Sequence, residues 1–268
     1  MSARDPENCV GRLAEIVARL RAPDGCPWDR EQTHESLRAA LVEECYEAVE
    51  AISRADDNNL REELGDLLLH VVMHAHMAGE RGAFAFSDVV DGICEKLVRR
   101  HPHVFGEAAA ADSEEVLRQW EQIKRAEKGA SASVLDNLPA SLPALLRAQN
   151  AQKKAARVGF DWGDRSGVLE KLREEFAELE SALASAAISG DARAVEDEFG
   201  DILFTAVNLA RHLGVDAETS LAAATSKFIA RFQHVERALA ARGLRVEQCD
   251  PQTLDREWEL AKAATGPK

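Results

Sequence analysis

The chain writes one helical pattern twice, and that repetition constrains its fold more than any other feature. Glu43-Glu44-Cys45-Tyr46-Glu47 returns as Glu174-Glu175-Phe176-Ala177-Glu178, and Glu63-Leu64-Gly65-Asp66 returns as Glu198-Phe199-Gly200-Asp201. Further on, the segment from Lys96 to Arg100 returns as Lys227 to Arg231, and the segment from Trp120 to Lys124 as Trp258 to Lys262. The separation is 131 residues for the first and third pairs, 135 for the second and 138 for the last, a drift that small loop insertions explain. In a chain that is 30% charged, one EExxE can arise by chance, but four motifs in one order indicate duplication of a whole supersecondary unit. The length, 268 residues, also suits two cores better than one. We therefore expect two domains, 1–130 and 131–268, joined through Gly129, a Ser/Ala stretch, Pro139 and Pro143.

Each copy reads as helix. Apolar residues recur at helical spacing over Val10–Leu20, Leu37–Ile52, Leu60–Met77 and Val89–Val98, with a shorter helix around Val116–Ile123. The breaks carry turn chemistry: Pro23-Asp24-Gly25, Asp56 to Asn59, and Gly79 to Gly82. A single Tyr and few β-branched runs leave little from which to build a sheet, so the fold class expected is all-α, two duplicated helical bundles.

Charge and cysteine usage exclude several functions. A net charge of −14 argues against a nucleic-acid partner or an anionic membrane surface, both of which need a basic face. Five scattered cysteines with no CxxC pair point away from zinc and towards a reducing cytoplasm. The start of the chain, Met1 to Asn8, carries Asp5 and Glu7 and is not followed by the apolar stretch of a signal peptide. The most apolar run, Leu67 to Met73, is interrupted by His70 and is too short to span a bilayer.

The repeated acids carry the chemistry. Residues three apart share a helix face, so Glu175 projects with Glu178 and Glu198 with Asp201. The connection between them, Leu183 to Arg193 at its widest, contains Ser189-Gly190-Asp191 and is short enough to force an antiparallel hairpin, which lets the two pairs meet. Two carboxylates at about 4 Å repel by roughly 4 kcal/mol at an effective dielectric near 20, so four of them need protons or a cation. Oxygen-only ligation selects Mg2+, with Mn2+ as substitute, and Mg2+ takes its remaining ligands from water and substrate phosphates. A di-iron bundle would need Glu-x-x-His on its ligand helices, and neither copy has it. Lys171 lies one turn before Glu175, Lys227 and Arg231 share a face, and Lys262 follows Trp258. These cations could grip a triphosphate and the indole could stack on a base. The first copy keeps Glu44, Glu47, Glu63, Asp66, Lys96, Arg100, Trp120 and Lys124, but Ala40 stands where the second has Lys171. The second copy is therefore expected to be the main catalyst and the first weaker or structural.

EExxE followed by ExxD on paired helices resembles the MazG family of nucleoside triphosphate pyrophosphohydrolases in its two-domain bacterial form. The likeness covers nearly the whole chain and includes Gly25-Cys26-Pro27-Trp28-Asp29, the segment Arg99-Arg100-His101-Pro102-His103-Val104-Phe105, and Val158-Gly159-Phe160-Asp161-Trp162. The resemblance implies homodimerisation with helices of two chains completing the bundle, Mg2+ dependence, and broad hydrolysis of NTPs and dNTPs to monophosphate and pyrophosphate. Carried over by residue, Glu175, Glu178, Glu198 and Asp201 would bind metal. Lys171, Glu174, Lys227, Arg231, Trp258 and Lys262 would line the nucleotide site, with Glu174 and Glu175 catalytic. Where the family can add a basic contact before Glu198, this chain reads Arg193-Ala194-Val195.

Blander readings exist for each feature. An acidic run is usually a solvated helix face, and a Trp is often a core anchor. His70, His74 and His76 have no counterparts in the second copy and read as packing or surface residues, while His101-Pro102-His103 reads as a helix stop. Two functional alternatives stand beside the broad hydrolase: a non-catalytic scaffold or regulatory partner holding a structural cation, and a narrow dUTP or dCTP pyrophosphatase.

Overall fold

A computed structural model describes residues 6–128, 133–136 and 138–265, and among them there is helix and turn but no strand. The chain divides into two compact units, Met1–Ala130 and Ser131–Lys268. Of the anticipated connection, residues 129–132 and 137 lie outside the described residues, as do 1–5 and 266–268, while Pro139 and Pro143 lie within them. No helix among the described residues is long and apolar enough to cross a membrane.

The first unit runs α1 (Pro6–Arg21), α2 (Pro27–Glu31), α3 (Arg38–Arg54), α4 (Asp57–Glu80), α5 (Phe86–Arg100), α6 (Pro102–Phe105) and α7 (Ser113–Lys128). Every helix expected from periodicity is present and extends beyond its apolar stripe, except that α3 begins at Arg38, one residue after Leu37. Asp56 explains where α4 begins, since its carboxylate accepts the N–H groups of Asn58 and Asn59 at 3.1 Å. Two short helices were not foreseen, because a single turn is too brief to show a period. Pro27 opens α2, and Pro102 both stops α5 and opens α6, since its fixed φ suits a first helical position. Gly25 is obligatory: a Cβ there would overlap the carbonyl oxygens of Arg19 and Leu20, where the chain folds back and Cys26 N–H reaches Leu20 at 2.7 Å. The core joins Val17 of α1 and Leu37 to Val72, Met73 and Met77 of α4.

Of the α4 histidines, His70 stacks on His74 and His76 pairs with Glu80 at 3.4 Å. His34, in the turn before α3, meets His74 with Nδ1 to Nδ1 at 2.7 Å and nearly coplanar rings. Arg81 lies 2.8 Å from His34 Nε2 and can only donate. The network therefore fixes the tautomers: His34 carries its proton on Nδ1 and gives it to His74. Burial pushes His74 below the ordinary histidine range, reinforced by His34 and His70, and burial also lowers His70 against the upward pull of Asp66. A folded-state pKa below the unfolded value means that the unfolded chain binds more protons. The contribution is then complete above about pH 6.5 and lost as pH falls below it. We expect the unfolding midpoint of the first unit to drop between about pH 7.5 and 5.5, and His74→Asn to flatten that slope in thermal scans. An equally steep slope in the variant would remove His74 as its source.

The second unit runs α8 (Ala144–Ala156), α9 (Arg165–Ser189), α10 (Arg193–His212), α11 (Ala217–Ala240), a 3-10 turn (Val246–Gln248) and α12 (Pro251–Ala264). The α9–α10 connection is tighter than the widest limit taken from sequence: Leu183 to Ser189 is helix, leaving Gly190, Asp191 and Ala192. Gly190 permits this with φ +76°, its N–H closing on Ala186 at 2.8 Å, and Asp191 accepts the Arg193 N–H at 3.0 Å. Buried Gln149 and Gln152 tie α8 down. Gln149 gives its amide to Val215 and accepts from Ala217 N–H at the α10–α11 corner, and Gln152 donates to Phe204 of α10. A separate cluster of Val235, Leu239 and Ala261, with Trp258 packed against it, holds α12 on α11.

Candidate metal and nucleotide site

The hairpin geometry gathers three of the four expected acids. Glu175 from α9 and Glu198 and Asp201 from α10 each present an oxygen within 4.8 Å of the others. Glu178 stands outside that tight set. It still lies close to Glu198, whose carboxyl is pushed up first by burial and then by the charges of Glu178, Glu175 and Asp201. Glu175 is only 4% exposed, so its charge must be compensated inside the protein. Compensation comes from Lys171, whose Nζ lies 2.7 Å from Glu174 Oε1, 2.9 Å from Glu175 Oε1 and 3.8 Å from Glu178 Oε2. Glu174 first, and then Glu175, drive the Lys171 pKa up. The sequence alone assigned Lys171 to the triphosphate, but here its ammonium is engaged by three carboxylates. A donor set made only of carboxylates, already drawn around a cationic head group, fits a hard divalent ion.

The first unit solves the same problem without that lysine. Glu44 of α3 and Glu63 and Asp66 of α4 also present oxygens within 4.8 Å of one another. Burial raises both Glu44 and Glu63, and neighbouring Glu47 raises each further. With Ala40 in the place of Lys171, no cation stands one turn before Glu44, and the carboxylates are left to push one another up.

The remaining expected residues sit on a second helix pair in each unit. Lys227 and Arg231 are on α11, and Trp258 and Lys262 on α12. Trp258 packs on Phe228 at 5.3 Å between centroids, so it is at least partly a core anchor, and Lys262 pairs with Glu259. Arg231 Nε donates to Thr265 Oγ1 at 3.1 Å. In the first unit, Lys96 and Arg100 are on α5 and Trp120 and Lys124 on α7. The His101 ring meets Trp120 edge-on at 4.8 Å, and Arg100 is clamped by Glu127. Sequence reasoning missed Glu127 and Thr265. Each stands seven residues after its tryptophan, so extending the repeat would have paired them.

The MazG nucleotide pyrophosphohydrolase domain matches this chain twice, over residues 32–105 and 165–236. The chain belongs to the MazG family. Each matched span contains one carboxylate hairpin and the following Lys and Arg, and ends before the tryptophan. The Escherichia coli K12 protein named nucleoside triphosphate pyrophosphohydrolase is 48% identical over 258 residues, covering 95% of this chain and 97% of that one. Thermotoga maritima nucleoside triphosphate pyrophosphohydrolase/pyrophosphatase MazG is 48% identical over 251 residues, covering 93% and 94%. A solved mazG-related protein from Thermotoga maritima is 32% identical, covers 42% of this chain and 97% of that one, and has a TM-score of 0.38.

Proposed function

We propose that this chain is a nucleoside triphosphate pyrophosphohydrolase that uses Mg2+ to cleave ribo- and deoxyribonucleoside triphosphates to monophosphate and pyrophosphate, a housecleaning role in the cytoplasm. The observation that carries this reading is buried Glu175 converging with Glu198 and Asp201 around a cation-demanding centre. Relatives of nearly equal length, 48% identical and named for this activity, support it. Glu175, Glu198 and Asp201, with Glu178 beside them, would hold a divalent ion, which would supply neutralisation of phosphate charge and polarisation of phosphorus. Glu174, exposed and held 2.7 Å from Lys171, is the group that orients or deprotonates water. Lys227, Arg231 and Lys262 would grip the polyphosphate, and Trp258 would stack on the base. The first unit would be weaker, having no cation in the place of Lys171.

Each hairpin leaves apolar side chains open: Val42, Tyr46 and Val49 on α3 in the first unit, and Phe176, Phe199 and Leu203 on α9 and α10 in the second. Such faces mark interaction sites, and a second copy of the chain, presenting the same faces, is the occupant we propose.

The test is pyrophosphate release from a panel of NTPs and dNTPs with and without Mg2+, on samples whose mass is read by sedimentation. Release across the panel that needs the metal, from a species of twice the chain mass, is expected. Release from dUTP or dCTP alone would narrow the substrate, and none from folded protein would leave a scaffold. A single-chain mass would remove the dimer.

A further inference from the structure

We propose that Glu127 masks the phosphate-gripping arginine of the first unit, and that Thr265 at the equivalent place leaves Arg231 open to an anion in the second. The inference rests on the nucleotide reading above and explains which unit can use it. The repeat fixes the correspondence: Arg100 answers to Arg231, and the residues seven beyond Trp120 and Trp258 are Glu127 and Thr265.

The two positions differ in what they do to the guanidinium. Arg100 donates through Nε to Glu127 Oε1 at 3.3 Å and through Nη2 to Oε2 at 2.5 Å, while Arg99 Nε reaches Oε1 at 2.7 Å. That Nε–Nη2 edge matches two oxygens of a carboxylate or of a phosphate, so one occupant excludes the other. A phosphate approaching Arg100 would also meet the like charge of Glu127, whose carboxyl the two arginines hold down at about 2 and therefore ionised at any working pH. Among the described residues, Arg231 instead gives only Nε, to a hydroxyl that donates its own proton to Ala261 at 2.7 Å. A neutral partner occupying one N–H leaves the charge and the rest of the fork available.

Net charge alone does not distinguish the units, because Arg99 in the first has Ala230 as its counterpart. The difference lies in which edge of the buried arginine is filled: the Arg100 side chain is 17% exposed and that of Arg99 52%. Trp120 is closed in by the same group, with the Arg100 guanidinium 5.9 Å from its ring centroid and His101 against it. Ala40 removes a cation at the acids of the first unit, and Glu127 removes one at the phosphate, two independent losses in the same unit.

Equilibrium dialysis of the full chain with an α,β-methylene nucleoside triphosphate analogue and Mg2+ tests this. We expect one tight site per chain in the wild type. Glu127→Thr should bring a second site into range, tightening first-unit binding by about tenfold or more, and Thr265→Glu should weaken the second-unit site comparably. Glu127→Gln, which keeps the shape and drops the charge, should give a smaller gain and guards against a misfolded threonine variant. Unchanged stoichiometry in both Glu127 variants, with unchanged affinity in Thr265→Glu and normal wild-type binding, overturns the mask. Wild-type protein that binds no analogue overturns the nucleotide reading itself.

Discussion

Glu175→Ala is expected to lower pyrophosphate release by on the order of a hundredfold or more, while Glu44→Ala leaves most of it intact. Glu175 is the buried member of the tight carboxylate set in the second unit and stands 2.9 Å from Lys171. Removing it would take away the proposed metal ligand that α9 contributes beside Glu198 and Asp201. Glu44 occupies the same place in a unit with no lysine beside its acids and with its arginine clamped by Glu127. The loss should not be a folding defect. The pair with Lys171 is lost, but Lys171 keeps Glu174 at 2.7 Å and repulsion on Glu198 is relieved, so without metal the variant should melt close to wild type, and the combination of lost activity with retained stability is the signature sought. Loss of activity in Glu44→Ala alone would move catalysis into the first unit and contradict the assignment.

Leu239→Ala is expected to destabilise the second unit by about 2–5 kcal/mol, read as a shift of its chemical-denaturation midpoint. Leu239 is completely buried near the end of α11, against Val235 and Ala261, with Leu254 and Trp258 at the edge of the cluster. Truncation leaves a cavity that these neighbours can only partly fill, since α12 is held to α11 by this small cluster. The same change should weaken nucleotide binding, because α12 carries Trp258 and Lys262. Ile188→Ala, at a side chain 91% exposed, is the control and should change stability by no more than about 0.5 kcal/mol. A shift of under about 1 kcal/mol for Leu239→Ala would show that α12 is held elsewhere.

The all-α class and the duplication were legible because both are written in local signals that recur. A helical stripe needs only residues three and four apart, as in α3 and α10, and a repeated motif needs only a second copy for comparison. The one-turn helices α2 and α6 escaped because four or five residues carry no period, although Pro27 and Pro102 mark their first positions. The extent of α9 escaped because Ala-rich Leu183 to Ser189 continues a helix as readily as it ends one, and Gly190 with its left-handed φ decides the matter.

At the site, residue types and spacing determined that Glu175, Glu198 and Asp201 could meet, because the helix repeat and a short antiparallel connection leave few alternatives. They also marked Ala40 as the lost cation of the first unit. Only the tertiary structure decided that Lys171 turns onto the acids, that Glu178 stands outside the tight set, and that Glu127 and Thr265 control two equivalent arginines differently. The physical reason is range. Helix periodicity acts within a turn or two and is read along the chain, whereas ion pairing depends on which side chains burial brings within about 3–4 Å across helices, where desolvation makes every unpaired charge costly.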